Sequence, residues 1–188
     1  GKVLKGIDIR KHGSGNVGAT NIFRTVGKIP GIIVLLIDAF KGIFVVTFLP
    51  GFICQLFPEV QITSLSSFYI FFGAAAIAGH IWTCFLGFKG GKGVATTAGV
   101  MGGLSPVIFG VAICVWIIVL SLCKYVSVAS ITAAVTLPIC AVLMGKDIRF
   151  IVFMGLLSLV GVYSHRANIR RLIQGSENKI IKSSKSQP

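Results

Sequence analysis

Residues 31–49 read GIIVLLIDAFKGIFVVTFL, and this run is long enough to cross a lipid bilayer as one helix. Pro30 and Pro50 bracket it, and proline ends or kinks a helix. Asp38 and Lys41 stand inside it, three residues apart and therefore on one helical face. Ions at this depth are costly unless they are paired. We therefore expect a structural ion pair that fixes a helix contact, with a functional role as the alternative.

The rest of the chain also has the composition of a membrane protein. Apolar residues make up 54% of the 188 residues, and the mean hydropathy is +0.90. A weakly polar loop is predicted over 51–66, and further apolar helices are predicted over 67–84, 94–104, 106–123, 126–145 and 150–164. The sequence predicts an all-α integral membrane protein with about six membrane segments, one of them short. We expect a single domain, 1–188, with a flexible basic tail over about 176–188.

Lysine and arginine are distributed unevenly along the chain. If the spans alternate, the segment before residue 30, the 85–93 loop, Lys124 and the tail share one side, which carries 15 of the 18 cations. The positive-inside rule makes that side cytoplasmic. A net charge of +13 often indicates nucleic-acid binding, but these cations flank membrane spans. The charge pattern therefore excludes a nucleic-acid partner and favours a membrane protein.

Two glycine-rich basic segments fall on that predicted cytoplasmic side. The first is RKHGSGNVGATNIFR, residues 10–24, and the second is FLGFKGGKGVATT, residues 85–97. Glycines let consecutive backbone N–H groups face one point, which is how proteins bind phosphate without metal. Either segment alone is equally compatible with a plain loop. Their convergence on one face favours an anion site.

Carboxylates are scarce on this side of the predicted membrane protein. Only Asp8 and Glu177 lie there, so a carboxylate cage for Mg²⁺ cannot be assembled. A Ser–His–Asp triad from Ser14, His165 and Asp8 can be drawn only by assuming the geometry. The five cysteines lie in or beside apolar runs and are predicted to act as small hydrophobes. The sequence thus predicts phosphate binding by cations and amides, with no metal and no cofactor.

Five segments in order resemble the motifs of the bacterial acyl-phosphate:glycerol-3-phosphate acyltransferase family. They are HGSGNVGATNIFR (12–24), DAFKG (38–42), GHIWTCFLGFKGGKGVATT (79–97), KYVSVASI (124–131) and SHRANIRRLIQGSENK (164–179). The resemblance implies a seven-helix fold, of which this chain is expected to lack most of the first helix. One departure is Trp82-Thr83, where the family tends to have Phe-Pro.

The resemblance implies transfer of an acyl group from acyl phosphate to the 1-hydroxyl of sn-glycerol 3-phosphate, the first step of phospholipid synthesis. It implies as catalytic residues Ser14, His165 and Asn168. It implies as phosphate-binding residues Gly15, Asn16, Thr20, Asn21, Arg24, Gly91, Lys92, Gly93 and Ser130. The implied partners are the two substrates and the bilayer, with no obligatory protein partner. The implied location is the bacterial cytoplasmic (inner) membrane, with the site facing the cytoplasm.

We further expect Arg24 and Lys92 to hold glycerol 3-phosphate, and Ser14–Asn16 with Thr20 to hold the donor phosphate. His80 is expected to be a satisfied histidine at a helix end. The alternative function is a small transporter or channel for an anionic solute, since paired intramembrane ions are a transporter feature. No inverted repeat is evident in the sequence, and the polar groups gather at one membrane face, which favours the enzyme.

Overall fold

The structure is a computed structural model that describes residues 1–59 and 65–180. This part of the chain is mainly helical and contains no strand, which confirms the predicted all-α class. The α-helices are α1 Lys2–Lys5, α2 Ala19–Thr25, α3 Lys28–Thr47, α4 Leu49–Leu56, α5 Leu65–Ile81, α6 Val94–Leu104, α7 Pro106–Cys123, α8 Val126–Leu143, α9 Ile148–Ser164 and α10 Arg166–Ile173. Short 3-10 turns form at Ile9–Lys11 and Cys84–Leu86.

The membrane segments agree with the sequence prediction of about six. By length and composition, four segments of the described chain can cross a membrane: Lys28–Leu56, Ser67–Leu86, Pro106–Cys123 and Val126–Leu143. A bent pair, Ile148–Ser164 with Arg166–Ile173, makes a fifth if it counts as one span. The short apolar helix α6 matches the short segment of the prediction and is below the length needed to cross a membrane by itself.

Two local predictions are wrong. The loop predicted from residue 51 is helical as far as Leu56, because Pro50 lies in the first turn of α4, where proline is tolerated; residues 60–64 of that loop lie outside the described residues. His165 and Asn168 are three residues apart, so the sequence predicts that a helix continuing from the last span carries both on one side; in the structure, α9 and α10 instead meet at an angle of 54°. The helix breaks there because His165 leaves helical geometry, and its Nδ1 lies 2.8 Å from the carbonyl oxygen of Gly161.

The backbone divides into two compact units, Gly1–Pro106 and the part from Val107 onward. In unit 1, α3 packs against α2, α4, α5 and α6. A Cβ on Gly99 would collide with the carbonyl oxygen of Ala39, and one on Gly42 would collide with that of Thr96. Glycines therefore allow the backbones of α3 and α6 to touch, as small residues do in membrane helix pairs.

Unit 2 is built around α9, which packs against α8 and α10. The indole Nε1 of Trp116 in α7 donates a hydrogen bond to Ser130 Oγ in α8 (3.1 Å). The expected flexible tail is held in its first part, because the backbone N–H of Ile180 donates to the carbonyl of Lys124 (2.9 Å). Residues 181–188 of that tail lie outside the described residues. The prediction of one domain over 1–188 stays a prediction.

Candidate active site

The first glycine-rich segment is organised around the buried side chain of Asn21, which is 2% exposed. Its Oδ1 accepts a hydrogen bond from the Ser14 backbone N–H (2.9 Å). Its Nδ2 donates to the carbonyls of Ile9 and His12 (both 3.1 Å) and of Asn16 (2.8 Å). The side-chain amide is used within the loop, so Asn21 shapes the loop. The binding role predicted for Asn21 stays a prediction.

The backbone nest expected at residues 14–16 is also closed at two of its N–H groups. Ser14 N–H donates to Asn21, and Gly15 N–H donates to the carbonyl of His12 (3.1 Å). Gly13 has φ +62°, and a Cβ there would collide with the Asn21 amide, so the turn requires glycine. The segment therefore offers a ligand its side chains rather than the N–H groups of Ser14 and Gly15.

Thr20 and Arg24 lie on α2, one helical turn apart and hence on the same side of this helix. Asn16 supports the start of α2, because its Oδ1 accepts from the N–H of Gly18 (2.8 Å). Three groups of this segment are thus suited to an anion: the hydroxyl of Ser14 in the loop, and the hydroxyl of Thr20 and the guanidinium of Arg24 on α2.

Asp8 does not serve as the acid of a triad in this structure. Its carboxylate accepts from Arg10 Nε (3.0 Å) and Nη2 (2.7 Å). These hydrogen bonds hold the pKa of the Asp8 carboxyl well below its usual range. Asp8 therefore acts as the partner of Arg10 at the start of the segment.

The second glycine-rich segment connects α5 to α6 through tight backbone contacts. Gly90 N–H donates to the carbonyl of Ile81 (3.0 Å), and Gly91 N–H donates to that of His80 (3.2 Å). Gly93, with φ +79°, is the N-cap of α6, and no side-chain cap bond forms there within the described chain. The first N–H groups of α6 lack helical partners, and Lys92 directly precedes them. A helix N-terminus beside a lysine is suited to bind phosphate.

An ion cluster of two α3 side chains and one α5 histidine lies next to this second segment. Lys41 Nζ is 2.6 Å from Asp38 Oδ1 and 2.7 Å from His80 Nδ1. The expected Asp38–Lys41 ion pair is therefore confirmed, and His80 joins it. His80 is satisfied, as predicted, but its partners are these two ionic side chains of α3.

In unit 2, a single carboxylate organises the polar residues. The Glu177 side chain is 4% exposed, and its Oε1 accepts from Ser127 Oγ (2.9 Å) and Asn168 Nδ2 (2.6 Å). Its Oε2 accepts from Arg171 Nε (2.7 Å). Burial alone would raise the pKa of Glu177, but the bonds from Asn168, Arg171 and Ser127 outweigh burial and hold it below its usual range. Glu177 therefore orients the amide of Asn168.

His165 is buried at the bend between α9 and α10. Because the carbonyl of Gly161 can only accept, its bond to His165 Nδ1 assigns the proton to that nitrogen. In the neutral ring, Nε2 is then the basic nitrogen. Ser130 is also buried, and its hydroxyl accepts from Trp116, which leaves the O–H proton as a donor.

Two functional candidates were not assigned from sequence. The sequence prediction uses Glu177 only as one of two acids too few to form a metal site. An acid in a strongly basic segment is nevertheless a signal for a partner within the protein. The prediction for His80 gives it no contact with Asp38 or Lys41. The signal there was a histidine ending the apolar run that follows an intramembrane ion pair.

The chain is similar in sequence to known proteins. A family model described as glycerol-3-phosphate acyltransferase matches residues 1–175. The glycerol-3-phosphate acyltransferase of Desulforudis audaxviator is 47% identical over 94% of this chain and 83% of its own length. That of Chlorobaculum tepidum is 39% identical over 96% of this chain and 88% of its own.

A solved structure is similar as well. The crystal structure of PlsY (YgiH), an integral membrane glycerol 3-phosphate acyltransferase in its glycerol 3-phosphate form, has a TM-score of 0.81 and 37% identity. The match covers 94% of this chain and 84% of the PlsY chain. The chain belongs to the glycerol-3-phosphate acyltransferase family and is an integral membrane enzyme that acylates glycerol 3-phosphate.

Proposed function

We propose that the acyl donor is an acyl phosphate and that the acyl group passes directly to the 1-hydroxyl of glycerol 3-phosphate. The observation that carries this proposal is the anion-binding chemistry of unit 1. Lys92 precedes the start of α6, and α2 carries Thr20 and Arg24 on one side. Such groups bind phosphate oxygens, and an acyl phosphate is already activated, so no energy-coupling cofactor is needed.

The proposed roles follow from which groups each loop offers. Lys92 and Arg24 hold the phosphate of glycerol 3-phosphate, since a point charge and a planar fork suit a dianion. The hydroxyls of Ser14 and Thr20 bind the donor phosphate, and Ser130 supplies a further hydroxyl donor. Gly15, Asn16 and Asn21 set the shape of the first loop, while Gly91 and Gly93 set that of the second.

His165 and Asn168 are proposed to act on the reacting atoms. The glycerol oxygen attacks the acyl carbonyl carbon, an ester bond forms, and the carbon–oxygen bond to phosphate breaks. The hydroxyl proton leaves with the released phosphate, and His165 orients the attacking hydroxyl through Nε2. Asn168, held by Glu177, donates to the developing oxyanion; a donor of this kind contributes about 10²–10³ in rate elsewhere.

The proposed reaction uses no metal, and four of the five acidic side chains have partners in the structure. Asp8 is bound by Arg10, Asp38 by Lys41, and Glu177 by three donors. Asp147 caps α9 through the N–H of Arg149 (2.6 Å). Within residues 1–59 and 65–180, no three His, Cys, Asp or Glu side chains are grouped to hold a metal ion.

The test is turnover by the purified protein in detergent. We expect phosphate release from palmitoyl phosphate that depends on glycerol 3-phosphate, with lysophosphatidate as product and full activity in excess EDTA. Palmitoyl-CoA is the comparison donor and is expected to be inactive. Equal rates with the thioester would contradict the donor proposal, and loss of activity in EDTA that Mg²⁺ restores would contradict the metal-free mechanism.

We also propose that the protein lies in the bacterial cytoplasmic membrane with Lys92 on the cytoplasmic side. The cation asymmetry of the sequence supports this orientation. We propose no obligatory protein partner.

A further inference from the structure

Asp38, Lys41 and His80 form the ion cluster of α3 and α5, and no step proposed above uses it. The Asp38 side chain is 13% exposed and the His80 side chain 10%, so both are well shielded. Lys41 bridges them at 2.6 and 2.7 Å, and His80 Nδ1 is 3.4 Å from Asp38 Oδ1. Ionic groups within a membrane span are expensive, so such a cluster calls for a reason beyond packing.

The hydrogen bonds determine the orientation and tautomer of the histidine. The Lys41 ammonium has only donors, so both Asp38 Oδ1 and His80 Nδ1 must accept from it. An accepting Nδ1 assigns the ring proton to Nε2. The ring is thereby held in one orientation, with its Nε2 edge directed away from Lys41.

That edge lies against the second glycine-rich loop. A Cβ added to Gly91 would collide with His80 Nε2, so the loop backbone is in direct contact with the imidazole. The carbonyls of His80 and Ile81 also accept from the N–H groups of Gly91 and Gly90. Both the imidazole and the backbone carbonyl of His80 therefore fix the position at which the loop begins.

The constrained backbone leads directly to the proposed phosphate-binding groups. Lys92 follows Gly91, and Gly93 caps α6. A rotation of the imidazole would displace Gly91, and with it the lysine and the first N–H groups of α6. Displacements of about 1 Å at a substrate-holding group can cost roughly 10²-fold in rate.

We propose that Asp38, Lys41 and His80 are positioning residues for acyl transfer. Asp38 holds Lys41, Lys41 orients His80, and His80 sets the conformation in which Gly91, Lys92 and the start of α6 bind the phosphate of glycerol 3-phosphate. This inference rests on the proposed assignment of Lys92 to that phosphate. A buried ion pair contributes little to stability, since apolar replacements are often neutral or stabilising. Its hydrogen bonds do fix the orientation of the side chains that they join, here the imidazole of His80.

The principal test is Lys41→Met, which keeps the length of the side chain but removes both donated bonds. We expect the KM for glycerol 3-phosphate to rise roughly 10–100-fold, the range seen when outer-shell partners are removed from metal sites. The KM for the acyl donor should stay within about twofold of wild type, because His80 contacts the second loop. Lys41→Arg, which can still donate to both partners, should restore most of the affinity.

The matched control is Thr47→Val on the same helix. The Thr47 hydroxyl bonds to the carbonyl of Ile43 in its own helix (2.8 Å), so its removal should change neither KM. Asp38→Asn is a second and milder test, because the side-chain shape is kept while the charge that holds Lys41 is lost. Asp38→Asn replaces Lys41→Met as the test if the latter does not give monodisperse protein. An Asp38→Asn variant whose KM for glycerol 3-phosphate equals that of wild type would overturn the proposal.

Coupling to Lys92 separates positioning from a merely structural role. In a Lys92→Gln background, Lys41→Met should have little further effect on the KM for glycerol 3-phosphate, because residues that act through one another are non-additive. Fully additive effects would overturn the proposal. So would a lowered unfolding temperature with both KM values unchanged.

A donor-independent measurement keeps this inference distinct from the proposed function. Glycerol 3-phosphate alone should raise the unfolding temperature of the wild-type protein in detergent, since a ligand stabilises the state that binds it. The rise should be much smaller for Lys41→Met. If wild-type protein fails to use acyl phosphate, the donor proposal is wrong, whereas an equal rise in the two proteins would refute the positioning role.

Discussion

At Asn21, the side-chain amide makes four hydrogen bonds to the backbone of its own loop. At Asn168, an amide of the same chemistry is held by one carboxylate oxygen of Glu177. The first amide joins parts of its own loop, and the second is tied to a carboxylate that follows α10 in the chain. We propose that Asn21 serves the architecture of the loop and that Asn168 acts on the reacting atoms.

Asn21→Asp tests the architectural role. The shape is unchanged and the acceptor for Ser14 is kept, but an oxygen replaces the donor facing the carbonyls of Ile9, His12 and Asn16. Each buried group left unsatisfied costs about 1–3 kcal/mol. We expect a lower unfolding temperature in detergent and a joint fall in kcat/KM for both substrates. An unchanged unfolding temperature with a raised KM for one substrate would indicate direct binding instead.

Ser14→Ala tests the chemical role of the neighbouring hydroxyl. Ser14 holds the loop through its backbone N–H, which the substitution leaves in place. We expect an unchanged unfolding temperature and a kcat lowered about 10²-fold, because a fixed donor to the charge that develops on the departing phosphate is lost. Mass spectrometry of wild-type protein mixed with the acyl donor alone should show no added acyl group. A mass increase of one acyl group on Ser14 would refute direct transfer.

Among the elements, α10 depends on one long-range carboxylate. Glu177 follows α10 in the chain and bonds to Asn168 and Arg171 of that helix and to Ser127 of α8. It ties a short helix of eight residues to a membrane-spanning one. Helices of this length are marginal by themselves, so this contact adds to the packing of α10 against α9.

Glu177→Gln should therefore destabilise the protein in a pH-dependent way. Loss of the charged bonds should cost roughly 1.5–3 kcal/mol at neutral pH. The folded-state pKa of Glu177 lies below its ordinary value near 4.5, so its contribution is present above that pH and is lost as pH falls through the folded pKa. The difference in unfolding temperature between wild type and variant should shrink below about pH 4.5. A difference that does not change with pH would assign the effect to packing.

The sequence predicts where the helices lie along the chain far better than it predicts which residues of different helices are in contact. Long apolar runs bounded by proline, glycine and charge gave the positions of α3, α5, α7, α8 and α9 to within a few residues. The bend at His165 did not follow, because no periodicity reveals that His165 leaves helical geometry and contacts the carbonyl of Gly161. The bond between Ser127 and Glu177 joins residues 50 positions apart, and spacing carries no signal for such a pair.

The short helix α6 shows a second limit of sequence reasoning. Its 11 residues are too few to cross a bilayer. In unit 1, Thr96 lies beside Gly42 and Gly103 beside Val46, so α6 runs parallel to α3 and begins well along its length, about 20 Å from the first residue of α3. The second glycine-rich loop therefore lies beside the middle of α3 and not beside its first residues. The sequence does not predict this position, because it depends on how α3 and α6 pack.

At the scale of the whole molecule, the orientation proposed above rests on the distribution of charge. Cations concentrate in the segments that alternate spans place on one side, and the opposite side carries only Lys146 and Arg149. The parallel course of α3 and α6 is consistent with this alternation, because both helices then leave the cytoplasmic side. A site on that side would meet glycerol 3-phosphate, a charged metabolite that does not cross the bilayer unaided.

Single-cysteine labelling in intact cells tests the orientation. In a background without the other cysteines, Cys123 should react with a membrane-impermeant maleimide only after lysis, because it precedes Lys124 on the cytoplasmic side. Glu59→Cys and Lys146→Cys should react in intact cells, because both positions lie on the opposite side. If all three positions showed the opposite labelling, the proposed orientation would be reversed, and the glycine-rich loops would lie outside the cell. Reversal at Lys146→Cys alone would instead show that α8 does not cross the membrane, since only that helix separates this position from Cys123.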